Sequence, residues 1–168
     1  SIKLTKGFNV ITPPIDLEND QEVTKLLTLF NNSAEIEEVK VYSQQNKQFI
    51  TLNPNDPGNA YLLKNGSSLI VHTLIDINLN FSSVLCTTLS LNTGLNTVGF
   101  SCIKDNITAY QLLDELGADY IKSIEHFDSE TGRFQYVTFD QNDVKVGVDF
   151  PIYAGEGYFL HMKQETNY

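Results

Sequence analysis

The chain has 168 residues, enough to form one sizeable hydrophobic core or two small ones. Hydrophobic residues make up 41% and charged residues 19%, a composition typical of globular rather than disordered proteins. The net charge is −10 and the 11 basic residues form no run, which excludes nucleic acid as a partner and disfavours anionic membrane surfaces. Asn, Ser, Thr and Gln are abundant where charges are few, which favours a secreted or surface-exposed protein over a cytosolic one.

No apolar stretch approaches the ~20 residues that a spanning helix needs, so the sequence predicts no membrane insertion. The longest apolar segment, from Ser67 to Ile77, contains His72 and is typical of a buried strand. The chain begins at Ser1 without a signal-like segment, which predicts a mature protein or an excised domain.

An internal repeat is the most informative pattern in the sequence. Four segments recur in the same order at an offset of about 85–89 residues, which indicates a common origin. The matched pairs are Leu4–Asn9 with Leu91–Asn96, Leu26-Leu27 with Leu112-Leu113, Ile36–Phe49 with Ile121–Phe134, and Leu63–His72 with Ile152–His161.

The first unit opens with a glycine turn and a strand from Phe8 to Thr12, which Pro13-Pro14 ends because proline cannot donate to a strand ladder. A helix follows, with Asn19 or Asp20 as its N-cap. A hairpin and a polar loop come next, and a strand from Leu69 to Leu74 closes the unit.

The second unit repeats this order. Its helix is capped by Asn106 or Thr108 and ended by Gly117, and its apolar stripe is Leu112, Leu113 and Leu116. Its predicted strands are Leu95–Ile103, Ile121–Phe127, Phe134–Phe139 and Tyr158–Met162.

Segment 76–90 predicts an ordered connector strand without a counterpart in the repeat, because four of its apolar residues keep to odd positions: Leu79, Phe81, Leu85 and Leu89. The sequence therefore predicts an α+β fold with mainly antiparallel sheets, in which a β-α-β-β-β unit occurs twice. Residues 1–75 form the first unit and residues 91–168 the second. Each is short for independent stability, so we expect them to pack as one globular body about a pseudo-twofold axis.

The second unit contains Asn-Thr-Gly in Leu91–Val98, Asp-Ser-Glu-Thr-Gly in Phe127–Phe134 and Ala-Gly-Glu-Gly in Phe150–Phe159. In these motifs it resembles an accessory repeat module found in the C-terminal regions of large bacterial secreted and cell-surface proteins. The resemblance implies a domain that stands beside adhesive, enzymatic or matrix domains and has no assigned chemistry. The first unit departs from the pattern, with Asn65-Gly66-Ser67-Ser68 at the place of Ala154-Gly155-Glu156-Gly157.

Cys86 and Cys102 are too few for a disulfide scaffold or a standard zinc site, so they are either buried free thiols or one disulfide. Thr93-Gly94 is typical of a hairpin turn, and the cysteines lie symmetrically about Gly94. Directly opposed strands would bring them within disulfide range. We expect them to be cross-linked if the protein is extracellular.

The sequence contains no nucleophile elbow, zinc-protease motif or phosphate-binding loop, and it predicts no cofactor and no enzyme activity. We interpret His72, His126 and His161 as strand histidines with satisfied rings. Asp140 and Asp143 are weak calcium candidates without EF-hand spacing. Four tyrosines lie in or beside turns, where such rings bind sugars or proteins or pack over a sheet edge: Tyr42, Tyr61, Tyr153 and Tyr158.

These features favour a non-catalytic extracellular or cell-surface module for assembly, adhesion or display. Its expected partners are proteins or neighbouring domains of a larger chain. The alternative is a ligand-binding module, with carbohydrate as the first choice of ligand and the turn tyrosines as its platforms. A hydrolase that uses loop carboxylates is a third hypothesis, which requires two carboxyl groups about 5–10 Å apart in one cleft.

Overall fold

The computed structural model describes residues 1–14, 35–52, 65–81 and 86–168. Short strands predominate within these ranges. The first half contains β1 (Ile2–Leu4), β2 (Gly7–Ile11), β3 (Ile36–Ser43), β4 (Gln48–Thr51), β5 (Leu69–Thr73) and β6 (Ile77–Leu79). The second half contains β7 (Ser90–Leu91), β8 (Gly94–Val98), helix α1 (Ala109–Leu116), β9 (Ile121–Asp128), β10 (Arg133–Phe139), β11 (Lys145–Gly147), β12 (Tyr158–Met162) and β13 (Thr166–Asn167).

The predicted α+β class is wrong, because the described residues are mostly β and their one helix, α1, is short. The second unit does not follow the order β-α-β-β-β. Three further strands, β7, β11 and β13, form where a connector, a polar loop and a terminal segment find backbone partners on neighbouring strands. The helix predicted for the first unit, after Asn19 or Asp20, lies outside the described residues.

Two antiparallel sheets form the body of the chain. The four-stranded sheet has the order β2-β5-β3-β4, and the five-stranded sheet has the order β11-β10-β9-β12-β8. Read from β8, the second sheet runs β8-β12-β9-β10, which is the strand order of the first sheet with β11 added at the edge. Two short ribbons, β1 with β6 and β7 with β13, occupy corresponding places before and after each sheet.

Each sheet has its own hydrophobic core. Leu4, Val39, Leu69 and Val71 are central to the first core. In the second core, α1 buries Leu112 and Leu113 against the sheet, each leucine contributing roughly 1.5–3 kcal/mol relative to an exposed position. The helix begins with a capping box in which Thr108 and Gln111 each bond to the other's backbone N–H, and it ends at Gly117 with φ of 87°.

Backbone hydrogen bonds join the two units in a reciprocal arrangement, which we call the seam. The Gly157 N–H donates to the Val10 carbonyl (2.9 Å), and the Thr12 N–H donates to the Gly155 carbonyl (2.8 Å). At the corresponding positions of the other unit, the Ser68 N–H donates to the Thr97 carbonyl (2.9 Å), and the Gly99 N–H donates to the Gly66 carbonyl (3.0 Å). The β2 edge of the first sheet and the β8 edge of the second are thus each paired with the other unit.

Cys86 and Cys102 form a disulfide with a Cα–Cα distance of 5.0 Å. The predicted hairpin about Gly94 is not what brings them together, because β7 pairs with β13 and not with β8. Both cysteines lie outside strands and are exposed. A disulfide is compatible with an oxidising compartment. The described ranges contain no helix that is long and apolar enough to cross a membrane.

Candidate functional site

A groove of about 520 Å³ lies between the two units. The first unit contributes β1, the turn after it and β2. The second contributes the end of β9, the hairpin turn that follows, β10 and the loop before β12. The polar and aromatic residues that line the groove include Lys3, His126, Gln135, Tyr153 and Glu156.

His126 lies at the centre of the groove's polar lining. Strand pairing places it directly beside Gln135 of β10 on one side and Tyr158 of β12 on the other. Its Nδ1 atom is 3.0 Å from Gln135 Oε1, and its Nε2 atom is 3.0 Å from Glu156 Oε2. The ring is flanked by Phe150 at 5.6 Å and Tyr158 at 5.1 Å between centroids. Both ring nitrogens therefore face acceptor oxygens, and aromatic rings flank the imidazole.

Opposing effects act on the charge of this histidine. Burial by itself lowers the pKa of His126, but the hydrogen bonds to Glu156 and Gln135 and the negative charges of Glu156 and Asp128 outweigh it. The net pKa is raised above its ordinary value of 6.5. A cationic imidazolium can donate from both nitrogens at once, which is the state that the two facing oxygens favour.

Tyr158 holds Glu156 in place from the other side. Its hydroxyl donates to Glu156 Oε2 (3.0 Å) and accepts from the Tyr153 N–H (2.8 Å). The Tyr158 residue is fully buried, and burial raises the pKa of its hydroxyl, so the hydroxyl keeps its proton and donates it in a hydrogen bond to Glu156. Glu156 Oε2 thus has two donors, while the side chain remains 39% exposed and its other oxygen is available to a ligand.

The rim of the groove carries charges of both signs. Lys3 and Glu130 are exposed. Asp128 is engaged by its own turn: its oxygens accept from the Thr131 hydroxyl (2.8 Å) and from the Glu130 N–H (2.9 Å). The Thr131 hydroxyl bond is the largest cause that lowers the pKa of Asp128. The Thr5 hydroxyl reaches across to the Ser129 carbonyl (3.3 Å), so one end of the groove is closed by a contact between the units.

A scan against protein-family models found no match, and neither a search of curated proteins nor a search of solved structures found a similar chain. The resemblance of the second unit to bacterial accessory modules therefore stays a prediction.

The two units differ in chemistry at the positions that form this site. In the second unit the cross-strand neighbours are His126, Gln135 and Tyr158. The same register in the first unit joins Val41 to Ile50 and to Leu69, which are apolar. Sequence reasoning named His126 only as a strand histidine and assigned no role to Gln135 or Glu156. The available signal was this exchange of apolar for polar residues at matched positions of the repeat.

The structure separates the predicted tyrosines. Tyr153 is 56% exposed and lines the groove, and the Tyr158 hydroxyl positions Glu156. Tyr42 lies on β3, away from the groove, with its ring edge-on to Phe49 at 5.2 Å. Tyr61 lies outside the described residues.

The other predicted residues have structural partners. Asp140 Oδ1 accepts from the Asn142 N–H (2.8 Å) and the Val144 N–H (2.9 Å), so this carboxylate shapes its own turn, which includes Asp143 with φ of 58°. Among the described residues no three His, Cys, Asp or Glu side chains converge as metal ligands. His72 contacts Glu37 (2.6 Å), and His161 contacts Glu125 (3.4 Å), both apart from the groove.

A second surface lies at the edge of the five-stranded sheet. Phe134 and Tyr136 point to the same face of β10. Val146 of β11 pairs with Thr138, and Val148 follows beside Tyr136, so both valines lie on that same face of the sheet. The exposed fractions of Phe134, Tyr136, Val146 and Val148 are 60%, 45%, 40% and 73%. We call these four residues the aromatic–valine patch. Large exposed apolar side chains that cluster on one surface indicate an interaction site more strongly than scattered ones do.

Proposed function

We propose that this chain is a non-catalytic module of an extracellular or cell-surface protein, and that it mediates assembly by binding a second copy of itself. The observation that carries the proposal is the aromatic–valine patch. Its four side chains gain free energy when a neighbouring surface removes them from water, at roughly 25 cal/mol per Å² of apolar area. The patch also borders β11, the edge strand of its sheet, where a neighbouring backbone can approach.

A repeated aromatic pair supports a second copy as the partner. Phe134 is edge-on to Phe127 at 5.1 Å, and at the matched hairpin of the first unit Phe49 is edge-on to Tyr42 at 5.2 Å. Phe49 is 41% exposed. One chain therefore presents two similar aromatic surfaces, one in each unit. A contact between the patch of one copy and the Tyr42–Phe49 surface of the next is heterologous and can extend a row of molecules.

Charge sets the salt dependence of this association. The chain carries a net charge of −10. The overall like charge opposes association at long range, so added salt, which screens that repulsion, strengthens assembly through the apolar patch.

Two further features support the non-catalytic and extracellular parts of the proposal. The disulfide between Cys86 and Cys102 suits an oxidising compartment. The carboxylates of Asp128 and Asp140 accept hydrogen bonds from their own turns, which commits them to structure rather than to acid/base chemistry. These features do not favour the hydrolase alternative.

Sedimentation velocity over a range of protein and salt concentrations tests the proposal. We expect the average mass of the wild type to rise with both concentrations, and we expect Phe134→Ser and Val148→Ser to abolish the rise. Ile75→Ser is the matched control, because Ile75 is 50% exposed but lies between β5 and β6, away from the patch. A wild type that stays monomeric at every condition, or association that survives both patch variants, contradicts the proposal.

A further inference from the structure

We propose that the groove between the units binds a carbohydrate, with Tyr153 as the ring platform and Glu156 and Gln135 as the polar contacts. This site is separate from the aromatic–valine patch. The groove's volume of about 520 Å³ lies within the range of roughly 300–1,000 Å³ typical of small-molecule sites.

A polar site at these positions is costly for folding. The matched positions of the first unit hold Val41, Ile50 and Leu69, so the same strand register folds with an apolar set. Burying polar groups is unfavourable unless each finds a partner, and even a satisfied network gains little over apolar packing. Folding alone does not require His126 and Gln135, so we attribute their presence at these positions to ligand binding.

The groove offers a ligand both a hydrogen-bond donor and an acceptor. Gln135 directs its Oε1 atom to His126, which leaves the amide NH₂ to donate. Glu156 Oε2 is occupied by Tyr158 and His126, which leaves the exposed Oε1 atom to accept. A fixed amide donor beside a fixed carboxylate acceptor suits a ligand whose neighbouring groups both donate and accept. Adjacent sugar hydroxyls have this property.

Charges of both signs line the groove among the described residues. Lys3 is positive, and Asp128, Glu130 and Glu156 are negative, while the raised pKa of His126 favours its cationic form beside Glu156. A phosphate or a polycation would require a lining of one sign. A neutral, hydroxyl-rich ligand requires only local donors and acceptors and an apolar surface. Tyr153, a rigid ring with a polar tip and 56% exposure, supplies that surface.

The experiment uses the disulfide-bonded chain on an array of plant, bacterial and host glycans, followed by titration calorimetry with the oligosaccharide that gives the strongest signal. Tyr153→Ala and Gln135→Ala are expected to weaken binding at least about tenfold, because each removes a contact that only the ligand completes. Tyr120→Ala is the matched control: Tyr120 is 41% exposed and does not line the groove, so its removal is expected to leave the affinity unchanged. Far-ultraviolet circular dichroism of each variant shows whether the fold is intact.

A second readout does not depend on affinity. The side-chain NH₂ signal of Gln135 in a ¹⁵N–¹H spectrum is expected to shift when the oligosaccharide is added, and the Phe134→Ser variant is expected to show the same shift. Silence of the folded protein across the whole array overturns the proposal. So does binding that Tyr153→Ala and Gln135→Ala leave intact, or binding that Phe134→Ser abolishes.

Discussion

Asn9 and Asn96 occupy matched positions in the two units and make the same set of hydrogen bonds. Asn9 Oδ1 accepts from the Thr5 N–H (2.9 Å), and its NH₂ donates to the carbonyls of Thr5 (2.8 Å) and Gly7 (3.1 Å). Asn96 Oδ1 accepts from the Asn92 N–H (2.9 Å), and its NH₂ donates to the carbonyls of Asn92 (2.7 Å) and Gly94 (3.1 Å). Each amide closes the glycine turn that starts a sheet.

The first prediction concerns these two amides. Both side chains are only 2% exposed, so truncation leaves backbone groups without partners. We expect Asn9→Ala and Asn96→Ala each to lower the free energy of unfolding by about 2–3 kcal/mol. Urea denaturation measures the change. Asn→Asp at either position should cost at least as much, because a carboxylate cannot donate to the two carbonyls. A loss of under about 0.5 kcal/mol for both alanine variants would contradict this account.

The second prediction concerns glycines at the seam. A Cβ atom on Gly99 would lie 2.1 Å from Thr12 Oγ1 and 2.3 Å from the Glu156 carbonyl, and one on Gly157 would lie 2.6 Å from Val10 Cγ1. The Glu156 backbone must move in the first case, and the side chains of Val10 and Ser68 in the second. We therefore expect Gly99→Ala and Gly157→Ala to destabilise the chain by about 2–4 kcal/mol.

Gly117→Ala is the control for the seam variants. An added Cβ there meets nothing within 4 Å, but φ of 87° with ψ of 146° is a backbone conformation that essentially only glycine adopts, so strain of about 1–3 kcal/mol is expected without any clash. Thermal unfolding of the three variants provides the comparison. If Gly99→Ala lowers the melting temperature no more than Gly117→Ala does, the two units pack less tightly at the seam than its hydrogen bonds indicate.

Periodicity and turn residues predicted the strands well where one face is apolar. The hairpin from Ile121 to Phe139 and the strand from Tyr158 to Met162 are present within a residue or two. Thr108, one of two predicted caps, is the N-cap of α1. The strands β7 and β13 have two residues each and pair with each other from opposite ends of the second unit, and β11 has three residues that pair with β10 across a turn. Each of these strands is too short for a local pattern to define it.

The site was not predictable in the same way. Glu156 lies in a glycine turn and Gln135 in a strand whose alternation is partial. Neither residue type is diagnostic alone, and His126 contacts both only because β9, β10 and the loop before β12 converge. Tertiary pairing, rather than spacing in the sequence, brings these side chains together.

The third prediction concerns the disulfide. Cys86 and Cys102 are separated by 16 positions, and a closed loop of this size is worth about 3 kcal/mol in the chain-entropy account. Reduction should therefore lower the melting temperature by about 6–12 °C. The double variant Cys86→Ala/Cys102→Ala should melt at the same lower temperature and be insensitive to reductant. Equal melting of oxidised and reduced wild type would contradict the expected contribution.

The fourth prediction is a pH dependence from His126. The folded-state pKa is raised above 6.5, so the folded chain binds the proton more tightly than the unfolded chain does. The stabilisation is fully present below 6.5 and is lost as pH rises through the raised folded pKa. Urea denaturation between about pH 5 and about pH 8 should show this fall, and His126→Gln should lack it.

A ring-proton titration of His126 by NMR tests the cause of that dependence. In Glu156→Gln the carboxylate is gone while burial remains, so the pKa of His126 should fall relative to the wild type. An unchanged pKa of His126 in that variant would mean that Glu156 is not the group that raises it.

The last prediction asks whether the polar site stabilises the fold. Removing one member leaves its hydrogen-bond partners unsatisfied, so His126→Ala should destabilise the chain by about 2–4 kcal/mol. Replacing both cross-strand neighbours with apolar residues of similar size, as the first unit has, removes the need for partners. We expect His126→Leu/Gln135→Leu to equal or exceed wild-type stability at about pH 7, by up to about 2 kcal/mol. Glu156 keeps its bond from Tyr158 and remains in contact with solvent, so it tolerates the change. If the double variant is as unstable as His126→Ala, the polar residues are required for folding, and their difference from the first unit no longer argues for a ligand.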